Sequence, residues 1–416
     1  MKPLDLPRLE RGLLVVGLIF YWCYLPFDVV GDGSLRYTAL SGLLQRGMWL
    51  PLKYSLVGPL FSAPLWWLGQ VVMAPDWWCA RYNFILLLIA LAVLWRLPAA
   101  WVPARRQFML LLVAASMFPA HVAAYYGEVF TALTCGLGLL LIAHGRTRIG
   151  ATLLVLGAAN SPSVLPAALA GLWVLYRKPG WWLIWLLPAA AITVLEFWLH
   201  RGVAGYFTGP HHDPYHWDTP FLVGFPSLLL SLGKGLLFFC PGLILAWAGV
   251  SNDWPPRVRA TLHAWMAFTA VQVLFYSKWW DWSGDWFWGP RFLLLACLPA
   301  ALLLATALAR RLWPALTLGV LTLSMWVGTT ATVYRYMDIQ QALHGRSFPG
   351  DLGYLVWYVP QYTVLWRPFY VSWPLQANDW AMIGWFTMVW LVLSGPLWAE
   401  LWRQAQAAFK GRFGTR

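Results

Sequence analysis

Few side chains in this protein can do acid–base or phosphate chemistry: 16 Asp and Glu and 8 His occur among 416 residues. Asp32 stands at the head of GDGSLRYTALSGLLQRG (31–47), and Asp28 lies one helical turn earlier. A carboxylate there can take the proton of a hydroxyl and make it a nucleophile; Asp32 can equally cap a helix starting near Ser34. Glu128, in HVAAYYGEVFTALTC, opens an apolar run. An ionisable group at that point is costly against lipid, so it is expected to face a cavity, or to be a carboxylate favoured by a helix N-terminus. Lys234 lies between Gly233 and Gly235, and Arg291 follows Gly289 and Pro290. Fixed positive charge beside closely approachable backbone suits a phosphate. Arg36 and Lys278 offer the same chemistry, and each can instead snorkel to a membrane interface. HHDPYHW (211–217) groups His211, His212, Asp213 and His216. That set can bind a divalent metal, touch a substrate or form an ordinary polar loop; Pro214 interrupts it and no second ligand pair is evident, so no metal is expected. WWDWSGDWFW (279–288), with Trp282 and Asp285, can stack on sugar rings or form an interfacial belt.

The elements that must position these residues are membrane helices. Of the residues, 60% are apolar and 11% charged, with a mean hydropathy of +0.59. Soluble proteins carry about 25% charged residues. The composition excludes a soluble enzyme, a disordered chain and a disulfide scaffold. Cys23, Cys79, Cys135, Cys240 and Cys297 are scattered, without a CxxC spacing, and read as small core residues. A span needs about 20 apolar residues. Candidates lie near 13–30, 81–97, 107–124, 128–144, 180–199, 235–250, 260–277, 291–308, 313–333 and 382–402, and the run 149–176, broken at Asn160-Ser161-Pro162, reads as two short spans. About twelve helices are therefore expected in one all-α polytopic domain over 1–416, the first of them a retained signal anchor. The stretch 56–74 decides the topology. If it does not cross, the pairs Arg105/Arg106, Arg177/Lys178 and Arg310/Arg311 all face the cytoplasm, as the positive-inside rule asks. Both termini are then cytoplasmic, and 31–80 and 334–381 are outer segments. The formal net charge of +13 is topological, and no nucleic-acid partner is expected.

Nearly all acids, histidines and long loops fall on the outer side, where long ordered loops usually carry function. No Walker or GxGxxG pattern occurs, so a substrate there should be membrane-borne. Four stretches carry a resemblance: GDGSLRYTALSGLLQRG (31–47), KYSLVGPLFSAPLWWLG (53–69), SLGKGLLFFCPGLIL (231–245) and WSGDWFWGPRFLLLACLPALLL (282–303). Together the chain resembles the GT-C-type polytopic glycosyltransferases, relatives of protein O-mannosyltransferases and of the lipid A aminoarabinose transferase.

The resemblance implies a polyprenyl-phosphate sugar as donor and a lipid, glycan or protein acceptor at the outer face of the cytoplasmic (inner) membrane. It implies Asp32 as the catalytic base, with Asp28 as the alternative, and Glu128 as a second acid in the site. One carboxylate suffices, because the leaving phosphate needs no general acid; attack opposite the leaving group makes the reaction inverting. Lys234, Arg291, Arg36 and Lys278 are then donor-phosphate ligands, and Tyr37, His211, His212, Trp282 and Asp285 substrate contacts. No cofactor is called for, a divalent cation aside. A transporter or flippase of a lipid-linked saccharide is the alternative, and it should show repeats and midplane charges; a lipid-linked glycan polymerase or ligase is a third reading.

Overall fold

The computed structural model describes residues 5–52, 54–178, 180–199, 217–284, 287–334, 353–372 and 374–413; His211, His212 and Asp285 lie outside them. Among the described residues the regular secondary structure is helical, apart from one isolated parallel bridge between Asp28 and Ala124. Four helices among the described residues are long and apolar enough to cross a membrane: Trp181–Leu199, Arg291–Arg310, Pro314–Val333 and Ala377–Lys410. Shorter apolar helices are Tyr82–Arg96, Glu128–Ala143, Pro162–Tyr176 and Phe221–Leu230.

Several expected spans are shifted or broken, each for a local reason. The first helix is Leu6–Tyr24 rather than 13–30. Asp5 starts it by accepting the Arg8 N–H at 3.3 Å, and Pro26 follows its end. The run 107–124 is not one helix. Arg105–Ala114 stops at Ala115, where Ser116 Oγ donates to the Leu112 carbonyl and accepts the Phe118 N–H; Phe118–Val122 then resumes with Pro119 near its start. The run 235–250 divides into Leu236–Phe239 and a 3-10 turn, Pro241–Ala246. Pro241 cannot continue the ladder, and Gly242 packs so closely that an added Cβ would stand 2.3 Å from the Ala300 carbonyl oxygen. The break in 149–176 falls where expected, between Thr147–Asn160 and Leu165–Tyr176. The stretch 56–74 forms two pieces, Val57–Leu60 and Ala63–Val71. At 1.5 Å per residue neither reaches across about 30 Å of hydrocarbon.

The core is a helix stack around Cys297–Arg310, every residue of which from Cys297 to Leu308 is buried. Small residues let the helices close in: a Cβ on Gly138 would meet the Gly150 carbonyl oxygen at 2.8 Å, so Glu128–Ala143 and Thr147–Asn160 touch backbone to backbone. The apolar stretch Trp181–Leu199 behaves oppositely. Only 22% of it is buried, and Trp181, Leu187, Val194 and Trp198 face outward. Cys79, Cys135, Cys240 and Cys297 are core residues as expected, whereas Cys23 is exposed on the first helix.

Candidate functional site

Three helices begin at one place, and each starts with a charged residue. Asp32 is the first residue of Asp32–Arg46, Glu128 of Glu128–Ala143, and Arg291 of the 3-10 turn Arg291–Ala296 that runs on into Cys297–Arg310. Carboxylates are favoured at helix N-termini and a cation is not. Arg291 is held there by the acids: its Nη1 lies 3.1 Å from Asp32 Oδ2 and 3.6 Å from Glu128 Oε1. The guanidinium is buried, with only 10% of its side chain exposed. Asp281 adds a third negative charge to its surroundings.

Local backbone explains the convergence. Gly31, before Asp32, has φ 54° and ψ −130°, a conformation open to glycine, and a Cβ there would meet the Tyr126 hydroxyl at 2.7 Å. Asp32 therefore does not cap its helix. Gly31 occupies that position, Ser34 Oγ donates to the Gly31 carbonyl at 2.8 Å, and the Asp32 carboxylate is left to reach Arg291. Gly284, at φ 73°, makes room for the Arg291 side chain, which passes within 2.9 Å of where its Cβ would be. The bridge from Asp28 joins the stretch before Asp32 to 123–125: Asp28 N–H donates to the Ala123 carbonyl at 2.9 Å and Tyr125 N–H to the Asp28 carbonyl at 3.3 Å. That pairing brings Asp32 beside Glu128.

Beneath Asp32 runs a segment, 54–58, irregular up to Leu56 and then entering the short helix Val57–Leu60, whose backbone is bonded by side chains from elsewhere. Arg36 donates to the Ser55 carbonyl at 3.3 Å, Glu196 accepts the Leu56 N–H at 2.8 Å, Asn160 accepts the Gly58 N–H at 2.9 Å, and Tyr82 donates to the Gly58 carbonyl at 2.8 Å. Buried backbone groups outside a helix's own ladder need such partners. Asn160 also donates to the Gly127 carbonyl at 3.0 Å and to Thr131 Oγ1 at 2.9 Å, tying the segment to the start of the Glu128 helix. The Tyr54 hydroxyl is hydrogen-bonded to Asp32; burial first, then the Asp32 charge, push this phenol well above its ordinary value, so it stays protonated and donates.

These groups open onto a cavity of about 810 Å³. Its polar end holds Asp32, Arg36, Tyr54, Glu128, Asp281 and Arg291. Its flank is aromatic, with Trp217, Phe275, Tyr276, Trp279, Trp280 and Phe292, and its outer wall carries Ala190, Thr193 and Val194 of the exposed helix Leu187–Leu199. Arg36 differs from Arg291. It is buried at 8% exposure, stacks 4.6 Å over the Tyr54 ring, and has no carboxylate within ion-pair distance among the described residues; its Nε is buried without a hydrogen-bond partner. Glu128 Oε2 is likewise without one.

The structure thus brings Asp32, Glu128, Arg36 and Arg291 together and separates the remaining candidates from them. The Asp28 side chain is exposed and accepts the Val29 N–H at 2.6 Å, away from the cavity lining. Lys234 does not line the cavity: it is fully buried, and its Nζ donates to the Phe287 carbonyl and, at 3.2 Å, to the Gly289 carbonyl. Lys278 is half-buried outside the lining. Tyr37 packs edge-on against Tyr125, and Trp282 is buried against Trp357. Among the described residues no group of three or more His, Cys, Asp or Glu is placed to hold a metal ion.

Four further residues belong to the site: Tyr54, Asn160, Glu196 and Asp281. Glu196 had a visible signal, as the one charged residue in the apolar run 181–199. Asn160 was visible only as a helix break. Asp281 stands in WWDWSGDWFW (279–288) and Tyr54 in KYSLVGPLFSAPLWWLG (53–69), but local sequence does not separate either from its neighbours. Comparisons with protein-family models, with curated proteins and with solved structures found no match.

Proposed function

We propose that this chain is a membrane glycosyltransferase of the GT-C type, moving a sugar from a polyprenyl-phosphate donor to a hydroxyl-bearing acceptor. One observation carries the reading: a carboxylate held by a guanidinium, a second buried guanidinium without a counter-ion among the described residues, and an aromatic flank share one cavity whose outer wall is a helix apolar enough for lipid. Asp32 is the base. Arg291, 3.1 Å away, stabilises it as an anion and orients it. Asp32 takes the acceptor's hydroxyl proton as the acceptor oxygen bonds to the sugar's anomeric carbon; the bond from that carbon to the phosphate oxygen breaks, and polyprenyl phosphate leaves with the electron pair. Arg36 is placed for the phosphate, since a buried guanidinium without a carboxylate is best stabilised by an incoming anion. Arg291 serves the acids, and Lys234 supports the loop before it. The wider arrangement is twelve spans with both termini cytoplasmic, the cavity opening to the outer face of the inner membrane.

The test uses the purified full-length protein in lipid vesicles with a radiolabelled polyprenyl-phosphate hexose. Label moving to an acceptor or released by water supports the reading. Label crossing the bilayer on an intact lipid would replace it with a flippase. For the topology, a cysteine at Gln45 should react with an impermeant maleimide in intact cells, and one at Gly145 should not.

A further inference from the structure

The outer wall of the cavity contains an acid that the transfer chemistry does not use. Leu187–Leu199 is apolar and mostly exposed, and an ionisable residue in such a helix is costly unless it faces protein or water. Glu196 turns inward. It is buried at 4% exposure, two residues beyond Val194 and three beyond Thr193, which line the cavity. Its Oε1 accepts the Leu56 N–H at 2.8 Å, across 140 positions of sequence. Leu56 follows Ser55, whose carbonyl receives Arg36, and Tyr54, whose hydroxyl is bonded to Asp32. Of the described side chains that hold segment 54–58, Glu196 is the one from the exposed wall helix; Arg36 comes from Asp32–Arg46, and Asn160 and Tyr82 come from the packed interior.

We infer that Glu196 is a positioning residue: it latches the cavity's exposed wall helix to segment 54–58 and thereby sets Tyr54 and Ser55 beneath Asp32 and Arg36. This rests on the transferase reading above. The latch acts through the Leu56 amide and touches neither substrate nor reacting atoms. What it requires is an acceptor oxygen at the end of a side chain of this length. Glutamine keeps that oxygen, and leucine keeps the bulk without it.

Two measurements on the full-length protein in lipid nanodiscs decide it: hydrogen exchange over 54–58, and transfer from a radiolabelled polyprenyl-phosphate hexose. Glu196→Leu should lose protection at 54–58 while the core helix Cys297–Arg310 stays protected, and its kcat should fall between about 10- and 10²-fold, the scale of a small misplacement of reacting groups. Its KM for the donor should change far less. Glu196→Gln should restore both protection and kcat. Unchanged exchange in Glu196→Leu overturns the latch, and so does lost protection with unchanged kcat, or a KM that moves as far as kcat. If wild type transfers no sugar, the transferase reading falls, and the exchange measurement then decides the latch alone.

Discussion

Arg291 and Lys234 look alike in sequence. Both are basic, both lie beside glycine at the edge of an apolar segment, and both are buried. Their surroundings divide them. Lys234, fully buried, donates to the Phe287 and Gly289 carbonyls. Arg291 is met by Asp32 and Glu128 at the edge of an open cavity. A buried cation must be compensated in either case. Bonds to loop carbonyls tie the ammonium into a structural joint. Compensation by carboxylates creates a charged cluster that can still exchange protons with a ligand. The two regions are also coupled, because the carbonyls that hold Lys234 belong to the loop that delivers Arg291.

The largest expected effect comes from breaking the carboxylate side. Arg291→Ala leaves Asp32 and Glu128 without their counter-ion, and removing one partner of a buried ionic network costs about 3–5 kcal/mol. Thermal unfolding in detergent reads this, and a variant as stable as wild type would show the cluster to be solvated and loose. Next, Asp32→Asn should fold normally and lose about 10²-fold or more of transfer, because an amide cannot accept the proton. Asp28→Asn, exposed and outside the cavity, is its control and should transfer at the wild-type rate; the reverse pattern would move the base to Asp28.

On the carbonyl side, Lys234→Met fills the space but strands two carbonyls, at about 1–3 kcal/mol each. Unfolding should shift down while the donor KM of the folded fraction stays near wild type. A raised donor KM at unchanged stability would place Lys234 at the phosphate and erase the contrast. The smallest effect is on stability in Asp28→Asn, within about 0.5 kcal/mol, since the backbone of Asp28 makes the bridge and its side chain only accepts from its neighbour.

Much of the fold was legible before any coordinate. Runs such as 81–97, 128–144 and 313–333 became Tyr82–Arg96, Glu128–Ala143 and Pro314–Val333, because a long apolar run leaves the backbone no satisfied alternative to helix. The breaks at 115–117 and 240–241 were harder. There a serine back-bond and a proline beside a close helix contact override hydropathy, and a sliding count of apolar residues does not weigh either.

Asp32, Glu128, Arg36 and Arg291 were identifiable singly, as charged residues at the edges of apolar runs. Charge in an apolar chain is expensive wherever it occurs, so its position along the sequence already marks it for use or for support, and residue type states what chemistry it can do. Which of those two it serves depends on who answers the charge, and the answering groups lie 163 or 259 residues away: Arg291 from Glu128 and Arg291 from Asp32. Only packing settled that Arg291 meets carboxylates while Lys234 meets carbonyls. Packing alone also brought Tyr54 beneath Asp32 and carried Glu196 from an exposed helix to the Leu56 amide. Sequence determined the helices and the short roll of charged groups; tertiary structure decided their pairing, because electrostatic compensation falls off with distance in space and takes no account of distance along the chain.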